Sequence, residues 1–445
     1  MTRTHDTAEV VIIGGGFAGL YAAQALRRAP VRVTVLDRRN HHLFQPLLYQ
    51  VATAGLNPSD IAYPIRTILR RQQNARVLLA DVTHVDRATR TVEFDSGSIQ
   101  YDYLIVATGA THSYFGHPEW AGLAPGLKTI EDALDIRGRV FLAYEEAERT
   151  LDRAEQAECL TFVVVGGGPT GVELAGTLAE IAHHSMKRDF RAIDPEATRV
   201  ILIEGVDRVL PPYPEKLSEA ARRQLEKLGV TVRTSSLVTA IDERGVTLSG
   251  GERIQSRTVL WAAGVAASPL AQTLGAPLDR AGRIEVLPDL TIPGQPEVFV
   301  AGDLAALTCD GAPVPGVAPA AIQEGKHAAK NILRAIAGEP LAPFRYRDKG
   351  SLATIGRAAA VASFKRFKLT GFLAWWAWWA IHIFFLIGFR SRLMVMFGWA
   401  WSYFTFQRGA RLITGPPRPG AEPRAVPSEP PSEVEAQTGS KLSAR

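Results

Sequence analysis

Residues 10–19 read VVIIGGGFAG and residues 162–171 read FVVVGGGPTG, and these two stretches decide the fold. In each, a short apolar run typical of a buried parallel strand leads into the pattern Gly-x-Gly-x-x-Gly and then into an Ala- and Leu-rich helix. The first glycine allows a tight turn, the second lets the backbone approach a pyrophosphate, and the third lets helix and strand pack closely. The sequence therefore predicts an α/β protein with two units that each bind a dinucleotide.

An acidic residue follows each glycine fingerprint at the end of the next predicted strand. Asp37 lies 23 residues after Gly14, close to the spacing of roughly 20 expected for a carboxylate that binds a ribose hydroxyl. Glu204 lies 38 residues after Gly166, so an insertion is expected between them, and the basic stretch 183–191 is the candidate. One such fingerprint could serve packing alone, but two in this context favour dinucleotide binding.

A later glycine turn distinguishes the two units. Residues 301–303 read AGD and follow the apolar run 298–300. Asp303 would accept hydrogen bonds from the ribityl or pyrophosphate region of a flavin, and Gly302 would permit close approach. The first unit is therefore expected to hold a non-covalent flavin dinucleotide, and the second another dinucleotide.

Two short turns are candidates for the points where the chain crosses between the units. Residues 107–109 read ATG and residues 262–264 read AAG, and each follows an apolar run. By themselves, such tripeptides are equally well explained as ordinary strand-to-loop turns. As crossovers, the first would lie at the flavin and the second at the other dinucleotide.

Composition and cysteine content narrow the class of protein. With 445 residues, 46% of them hydrophobic and 21% charged, the chain can form two or three domains with sizeable cores. Its two cysteines, Cys159 and Cys309, form no Cys-x-x-Cys pair, so disulfide exchange of the glutathione-reductase or thioredoxin-reductase kind is excluded. Both are expected to be small apolar packing residues, and no metal site is predicted.

Positive charge and tryptophan are concentrated near the C-terminus. From residue 349 to residue 421 there is no acidic side chain, and the basic ones are Lys349, Arg357, Lys365, Arg366, Lys368, Arg390, Arg392, Arg408, Arg411 and Arg418. The same segment holds six of the eight tryptophans: Trp375, Trp376, Trp378, Trp379, Trp399 and Trp401. This pattern fits an anionic bilayer surface better than nucleic acid, because indoles prefer the headgroup level and Lys or Arg reach lipid phosphates.

The stretch 369–389 could either cross or lie on a membrane. It has 21 residues without a formal charge, roughly 31 Å as a helix, which matches a hydrocarbon core of ~30 Å. Basic residues at both ends, tryptophans in its first half and His382 within it favour an interfacial position. The residues alone leave both possibilities open.

Six segments carry a resemblance to a known family. They are HHLFQPLLYQVATAGL at 41–56, GLKTIEDAL at 126–134, GGGPTGVELAG at 166–176, AGDLA at 301–305, AIQEGKHAAKNI at 321–332 and DKGSLATIGR at 348–357. Over residues 8 to about 412 the chain resembles the type II NADH dehydrogenases, single-subunit NADH:quinone oxidoreductases among the two-dinucleotide-binding flavoproteins. The resemblance implies hydride transfer from NADH to FAD, then two-electron reduction of a membrane quinone, with monotopic docking through residues 365–412.

The fingerprints and the resemblance together assign three sets of site residues. The FAD set is Gly14, Gly15, Gly16, Phe17, Ala18, Gly19, Asp37, Arg38, Gln45, Pro46, Leu47, Val82, Thr108, Gly109, Gly302, Asp303, Ala318 and Pro319. The NADH set is Gly166, Gly168, Pro169, Thr170, Gly171, Glu173, Glu204, Ala263 and Gly264. The quinone set is Gln323, Ile322 and Ala320.

Three side chains are expected to act in the reaction itself. By resemblance, Gln323 would hydrogen-bond quinone or flavin, Glu173 would lie near the nicotinamide, and Lys349 would offset charge on the reduced flavin. Glu173 is equally well explained as a surface acid at a helix N-terminus. In many family members a second glutamine starts the quinone-site helix, whereas here Pro319 follows Ala318 and only Gln323 remains.

The predicted organisation is two Rossmann-like domains followed by a helical membrane-anchoring segment. Its parts are an FAD-binding domain at 8–125 and 291–345, a connecting helix at 126–157, an NADH-binding domain at 158–290, an amphipathic anchor at 346–414 and a disordered Pro-rich tail at 415–445. Because the fingerprints and acids all precede residue 350, truncation there is expected to leave both nucleotide units intact.

Two other functions and several cellular properties complete the expectations. A redox-regulated binding protein like apoptosis-inducing factor, or a reductase of ferredoxin or rubredoxin, would not need the aromatic basic segment.

No apolar stretch precedes the first strand, so no signal peptide is expected, and the protein is placed at the cytoplasmic face of the bacterial inner membrane. Without a polytopic region, no proton pumping is expected, and a homodimer is left open.

Overall fold

The computed structural model describes residues 7–187, 189–387, 389–405 and 409–414. The predicted tail at 415–445 lies outside the described residues. The α-helices are α1 Phe17–Ala25, α2 Leu48–Ala52, α3 Pro58–Ile61, α4 Ile65–Leu69, α5 Trp120–Leu123, α6 Ile130–Arg149, α7 Arg153–Cys159, α8 Pro169–Glu180, α9 Glu215–Lys227, α10 Ala318–Ile336, α11 Gly371–Phe385 and α12 Phe389–Thr405.

The strands are short and numerous, as the many Gly and Pro turns lead one to expect. They are β1 Ala8–Ile13, β2 Val31–Asp37, β3 His41–Leu43, β4 Ala62–Pro64, β5 Ala75–Leu79, β6 Val82–Asp86, β7 Thr91–Phe94, β8 Gly97–Gln100, β9 Tyr103–Val106, β10 Ala110–His112, β11 Thr161–Val165, β12 Arg199–Ile203, β13 Val230–Arg233, β14 Val238–Asp242, β15 Gly245–Leu248, β16 Arg253–Gln255, β17 Thr258–Trp261, β18 Val265–Ala267, β19 Ile284–Glu285, β20 Thr291–Ile292, β21 Gln295–Val300, β22 Ala305–Ala306, β23 Thr308–Cys309, β24 Ala312–Pro313, β25 Ser351–Gly356, β26 Ala359–Ser363 and β27 Lys368–Thr370.

The first nucleotide-binding unit is built on a six-stranded sheet in the order β20-β21-β9-β1-β2-β5. Strands β1, β2, β5, β9 and β21 are parallel, and their inward side chains are almost all aliphatic and buried. Strand β21 is distant from β9 in the sequence but pairs with it in the sheet. The turn at residues 301–303 therefore lies at the same sheet edge as the first fingerprint. Ligands of such sheets bind at this carboxyl edge.

The second unit repeats the plan in a four-stranded parallel sheet, β13-β12-β11-β17. The strand with the fingerprint, β11, is central, and β12 with Glu204 at its end lies on one side. On the other side β17 ends at the turn of residues 262–264. Both predicted dinucleotide folds are thus present.

The chain crosses between the units where the two AxG turns predict. Strand β10 follows residues 107–109, β18 follows residues 262–264, and the two pair antiparallel. The chain returns to the first unit before residue 290, the predicted end of the NADH-binding domain. Leu270, Leu274 and Ile284 are buried in the core cluster of the first unit, so residues beyond β18 pack there and not with the NADH-binding sheet.

Residues 181–198 form the insertion that the long fingerprint-to-acid spacing predicts. A π-helical turn at Ile181–Ser185 and a 3₁₀ turn at Pro195–Ala197 separate α8 from β12. Glu148 at the end of α6 fastens the loop, because its carboxylate accepts hydrogen bonds from the backbone N–H groups of Arg191, Ala192 and Ile193 at 2.9–3.2 Å. The predicted single connecting helix at 126–157 is in fact two, α6 and α7.

The C-terminal region contains the predicted helices, α11 and α12, and also a sheet that the sequence did not predict and that packs on the protein core. It opens with an antiparallel sheet, β25-β26-β27, which packs on helix α8 of the NADH-binding unit. A Cβ on Gly176 would overlap the Ile355 carbonyl, so the missing side chain permits the contact. Ala353, Ile355 and Val361 belong to the largest buried cluster of the described chain.

The charge-free stretch 369–389 does not form one long helix. Its first two residues lie in β27, and α11 has 15 residues, roughly 22 Å, before the chain turns into α12. Within the described ranges, no helix is both long enough and apolar enough to span a bilayer. Trp378 is 2% exposed and packs in the core, so the tryptophans do not all face outward as the sequence suggested.

Candidate functional site

The first fingerprint forms a close-packed turn between β1 and α1. Gly14 has φ +100°, and a Cβ there would overlap the carbonyl of Ala107 at the end of β9. A Cβ on Gly19 would overlap the Gly14 carbonyl oxygen, so α1 can approach the turn only because residue 19 is glycine. The N-terminus of α1, which starts at Phe17, is thereby open towards the sheet edge, where a pyrophosphate is bound in such folds.

Asp37 lies where a ribose-binding carboxylate is required. Its carboxylate accepts hydrogen bonds from the Gly15 N–H at 2.6 Å and from the Arg39 N–H at 2.7 Å. Burial raises the pKa of Asp37, and these hydrogen bonds oppose the rise. Arg38 is exposed beside it, and Val82 begins β6 and packs on the core below the first sheet.

The loop at residues 45–47 lies against α6. It is one turn of 3₁₀ helix in which Leu47 is buried, and the Gln45 Nε2 donates a hydrogen bond to the Lys128 carbonyl at 3.0 Å. Phe44, just before the loop, contacts the Phe17 ring edge-on, with 5.9 Å between centroids. The loop is therefore anchored to the start of α1 and to the residues just before α6.

His42 is a buried site residue that the sequence reasoning missed. Its Nδ1 donates to the Gly15 carbonyl at 3.0 Å, and its ring meets Phe17 edge-on at 5.0 Å. Burial lowers the pKa of His42 to about 4, so the ring is neutral at pH 7. Its Nε2 and the Thr108 hydroxyl are buried, and neither has a hydrogen-bond partner among the described residues. The pair of histidines at the start of HHLFQPLLYQ was the available signal.

Glu324 is a second residue that the sequence reasoning missed. It is 3% exposed, follows Gln323 on α10, and accepts a hydrogen bond from the Gly302 N–H at 2.5 Å. Burial raises the pKa of the Glu324 carboxyl to about 7; the Gly302 N–H opposes the rise, and the nearby Asp303 adds to it. The next residue, Gly325, lets α10 touch α1, since a Cβ there would overlap the Ala18 carbonyl. Glu324 thereby holds the AGD turn onto the helix that carries the predicted quinone residues.

These features fit a flavin dinucleotide. The glycine turn, the acid at the end of β2 and the AGD turn meet at one edge of the first sheet, and two buried polar atoms there, on His42 and Thr108, need partners. Ala318 and Pro319 start α10 at the same edge. Among the described residues, no three His, Cys, Asp or Glu side chains are placed to hold a metal ion.

The second fingerprint reproduces the first almost contact for contact. Gly166 has φ +109°, and a Cβ there would lie 2.6 Å from the Ala263 nitrogen. A Cβ on Gly171 would overlap the Gly166 carbonyl. The Glu204 carboxylate accepts from the Gly167 N–H at 2.6 Å, the distance found between Asp37 and Gly15. Glu204 thus has the position of the first acid despite its longer spacing.

Helix α8 presents three residues along one face to strand β25. Glu173 accepts a hydrogen bond from the Thr354 backbone, Gly176 lies against Ile355, and Glu180 accepts one from the Arg357 N–H. Burial raises the pKa of Glu173 well above its usual value, and the hydrogen bond from Thr354 opposes the rise. Glu173 therefore faces the C-terminal sheet, unlike a solvated acid at a helix N-terminus.

The amide of Gln323 joins α10 to the segment before β25. Its Nε2 donates to the carbonyls of Pro319 and Arg347 at 2.9 and 3.0 Å, and its Oε1 accepts from the Arg347 N–H at 3.0 Å. Ile322 is half-buried, Ala320 is buried, and Lys349 is exposed. The three predicted quinone residues lie in the first turns of α10, and Lys349 follows the segment that Gln323 holds.

The C-terminal helices extend to the flavin loop. The His382 ring on α11 meets Phe44 edge-on at 6.2 Å, and the Trp399 Nε1 on α12 donates to the Gln50 Oε1 at 2.6 Å. His382 donates through Nδ1 to the Trp378 carbonyl, and burial lowers its pKa to about 4. The helices that the sequence assigns to lipid thus contact residues on both sides of the loop that it assigns to the flavin.

Both cysteines are free thiols that pack in the fold. Burial raises the pKa of Cys159 to about 11, which suppresses the reactive thiolate. The Cys309 sulfur makes long contacts with the Phe344 carbonyl and the Tyr346 N–H. Cysteine chemistry therefore has no part in the candidate site.

Comparison with known proteins agrees with this geometry. The family profile of the pyridine nucleotide-disulphide oxidoreductases matches residues 8–325, and the profile of the NDH2 C-terminal domain matches residues 349–408. The solved structure of NDH2 from Plasmodium falciparum in complex with NADH has the same fold, with a TM-score of 0.84, 21% identity, and coverage of 92% of this chain and 100% of that one.

Relatives at higher identity place the chain more closely. It is 47% identical over 420 residues to the type II NADH:quinone oxidoreductase Ndh of Mycobacterium tuberculosis. The alignment covers 91% of this chain and 90% of that protein. It is 48% identical over 422 residues to NdhA of the same organism, with coverage of 91% and 89%. The chain belongs to the type II NADH:quinone oxidoreductases, a family of FAD-dependent enzymes.

Proposed function

We propose that this enzyme oxidises NADH at the second fingerprint and reduces a membrane quinone at the first turns of α10, without pumping protons. When bound, FAD supplies the two-electron carrier between the two substrates. The overall reaction, NADH + H⁺ + quinone → NAD⁺ + quinol, takes up one proton. The observation that carries the proposal is the pair of matched turns, in which a carboxylate oxygen of Asp37 lies 2.6 Å from the Gly15 nitrogen and one of Glu204 lies 2.6 Å from the Gly167 nitrogen.

The roles of the chain's own residues follow from their positions. Gly14, Gly16 and Gly19 with Asp37 would hold the adenosine half of FAD, and Asp303 its ribityl side. On the nucleotide side, the helix N-terminus at Pro169 would bind the NADH pyrophosphate. Glu173, which contacts the C-terminal sheet and whose pKa is raised by burial, would hold a proton beside that site.

Glu204 predicts the choice of nicotinamide cofactor. A carboxylate accepts bonds from both ribose hydroxyls but repels a 2′-phosphate, so NADH is expected to be used far better than NADPH. Glu204→Gln removes the charge and retains the shape. It should lower the ratio of kcat/KM for NADH to kcat/KM for NADPH by about tenfold, or about 1.4 kcal/mol. Glu215→Gln, at an exposed position in α9, is a matched control. Equal use of both cofactors by the unmodified enzyme would show that Glu204 is not at the ribose.

Gln323, with Ile322 and Ala320, is proposed as the quinone contact. Gln323→Ala is expected to slow quinone reduction by about tenfold, the scale of one or two lost hydrogen bonds, while flavin reduction by NADH stays nearly unchanged in stopped-flow absorbance. Lys330→Ala, on the exposed side of the same helix, should alter neither step. Equal slowing of both half-reactions would instead make Gln323 a flavin-positioning residue that acts through the Arg347 backbone.

The proposed membrane face is the outer side of α11 and α12, with the loop before them and the segment after them. Its exposed apolar side chains are Phe367, Phe372, Leu373, Trp376, Phe384, Phe385, Met394, Phe397, Trp401, Leu412 and Ile413. Exposed Lys365, Arg366 and Lys368 lie beside them in sequence. Apolar area with flanking cations is what a monotopic attachment to the cytoplasmic, anionic leaflet requires.

Replacing exposed aromatics should detach the protein without stopping its redox chemistry. The fourfold variant of Trp376, Phe384, Phe397 and Trp401 to Ser is expected to lose cosedimentation with anionic liposomes, since each buried ring contributes about 1.5–3 kcal/mol. It should still reduce a water-soluble acceptor with NADH. Leu151→Ser, also highly exposed, serves as the control. Continued binding of the variant to the liposomes would contradict attachment by this face.

A further inference from the structure

Phe115 combines an exposed aromatic ring with a backbone that aromatic residues rarely adopt. Phe115 lies in the loop after β10, is 68% exposed, and has a φ of +50°. A bulky residue in the left-handed region is an outlier, and such outliers collect at ligand sites, where the surrounding structure enforces them. Packing does not explain the ring, because most of it faces solvent.

Two hydrogen bonds hold this loop onto the end of β17. The Trp261 Nε1 donates to the Ser113 carbonyl at 2.8 Å, and the Ser113 N–H donates to the Gly264 carbonyl at 3.4 Å. The Phe115 ring then lies over Gly264, where a Cβ would be 2.6 Å from the ring. Gly264, with φ +103°, therefore has to be glycine for the ring to occupy this place.

The strand order shows which half of the dinucleotide reaches this ring. Glu204 directly follows β12 on one side of the fingerprint strand β11, and Gly264 follows β17 on the other side. Residue 263 adjoins the Gly166 turn, since a Cβ at Gly166 would be 2.6 Å from the Ala263 nitrogen. A dinucleotide with its pyrophosphate at the turn and its adenine ribose at Glu204 must extend its nicotinamide half across β17.

We propose that Phe115 positions the nicotinamide half of NADH, as the outer wall of the crevice beside Gly264. The proposal rests on the assignment of NADH to the second fingerprint. A planar ring held by a constrained loop can stack on the nicotinamide or cover its ribose with little loss of conformational freedom, because Phe has only two side-chain torsions. Covering the ring on binding also removes exposed apolar surface from water.

The competing explanation is that Phe115 only shields Trp261. The two ring centroids are 6.3 Å apart, and Trp261 is 4% exposed. A shielding residue would affect thermal stability and leave NADH binding unchanged. The two explanations can therefore be distinguished, because positioning predicts a change in NADH binding and shielding predicts a change in thermal stability alone.

The test uses full-length enzyme with bound FAD and four substitutions. Phe115→Ala removes the ring, Phe115→Gly removes it and also relieves the backbone strain, Phe115→Leu keeps apolar bulk, and Phe115→Tyr keeps the ring. Leu151→Ala, an exposed apolar residue in another loop, is the control. Flavin reduction is followed at varied NADH, and NAD⁺ and ADP-ribose are compared as competitive inhibitors, because ADP-ribose lacks the nicotinamide.

The Ala, Gly and Leu variants are expected to raise the apparent Kd for NADH and the inhibition constant of NAD⁺ by about twofold to tenfold, the scale of one aromatic contact. ADP-ribose inhibition, reoxidation by quinone and the Tyr variant should stay at wild-type values. Unchanged NADH and NAD⁺ binding in the Ala and Leu variants would overturn the proposal, and so would an equal loss of ADP-ribose binding. Failure of NADH to reduce the wild-type flavin would instead overturn the proposed function.

Discussion

Gly19→Ala will leave the protein without bound flavin, whereas Gly171→Ala will keep the flavin and lose its reduction by NADH. In both fingerprints this glycine lies against the carbonyl of the first glycine, and an added Cβ would overlap that oxygen. The overlap is with backbone, so the helix start must move away from the turn. Such overpacking costs about 1–3 kcal/mol, less than the stability of a typical folded protein, so the damage stays local to each site.

The measurement is the flavin absorbance of each purified variant, before and after anaerobic addition of NADH. Dithionite, which needs no nucleotide site, should still bleach the flavin of Gly171→Ala. Gly138→Ala, on α6, where a Cβ meets nothing within 4 Å, is the control. A Gly19→Ala protein with a full complement of FAD, or a Gly171→Ala protein reduced normally by NADH, would contradict the assignment of the two sites.

Truncation after Gly350 will yield insoluble protein, contrary to what the position of the sequence motifs suggests. The missing part includes the fully buried Ala353, Ile355 and Val361 and the nearly buried Trp378. A buried Ile, Val or Trp side chain contributes about 1.5–3 kcal/mol or more, and three of them approach the 5–15 kcal/mol of a whole protein. The truncation would also expose the face of α8 that carries Glu173, Gly176 and Glu180.

Soluble yield and FAD content of the truncated chain, compared with the fourfold aromatic variant, are the readouts. The aromatic variant changes only exposed side chains and should remain soluble and yellow. A truncated protein that is soluble, binds FAD and unfolds cooperatively would show that the C-terminal sheet is a separable anchor after all.

Local patterns predicted the parts of the site that depend on few residues. A glycine turn, the strand before it and the acid at the end of the next strand lie close in sequence, so both nucleotide folds could be recognised. The longer spacing to Glu204 predicted an insertion, which residues 181–198 form. The AGD turn belongs to the first unit only through the long-range pairing of β21 with β9. Its position after an apolar strand was nevertheless enough to assign it to that unit.

The remaining features depend on contacts that no local pattern encodes. Glu324 looks like one charged residue among several on a helix until the Gly302 N–H is placed against it. His42 is recognisable only once its ring is buried beside Gly15. In the C-terminal region, the strands SLATIG and AAVAS are short, small and mostly apolar, so they lack the alternation that predicts a strand, while the tryptophans and cations nearby favoured a helical anchor.

The most direct test of the account is an anaerobic double-mixing experiment on the purified enzyme. NADH should bleach the flavin absorbance, and a short-chain quinone added next should restore it, with one NAD⁺ and one quinol formed per cycle. Gln323→Ala should slow only the second step. A flavin that NADH reduces, and that oxygen or ferricyanide but not quinone reoxidises, would contradict the central claim that one flavin site couples NADH oxidation to quinone reduction.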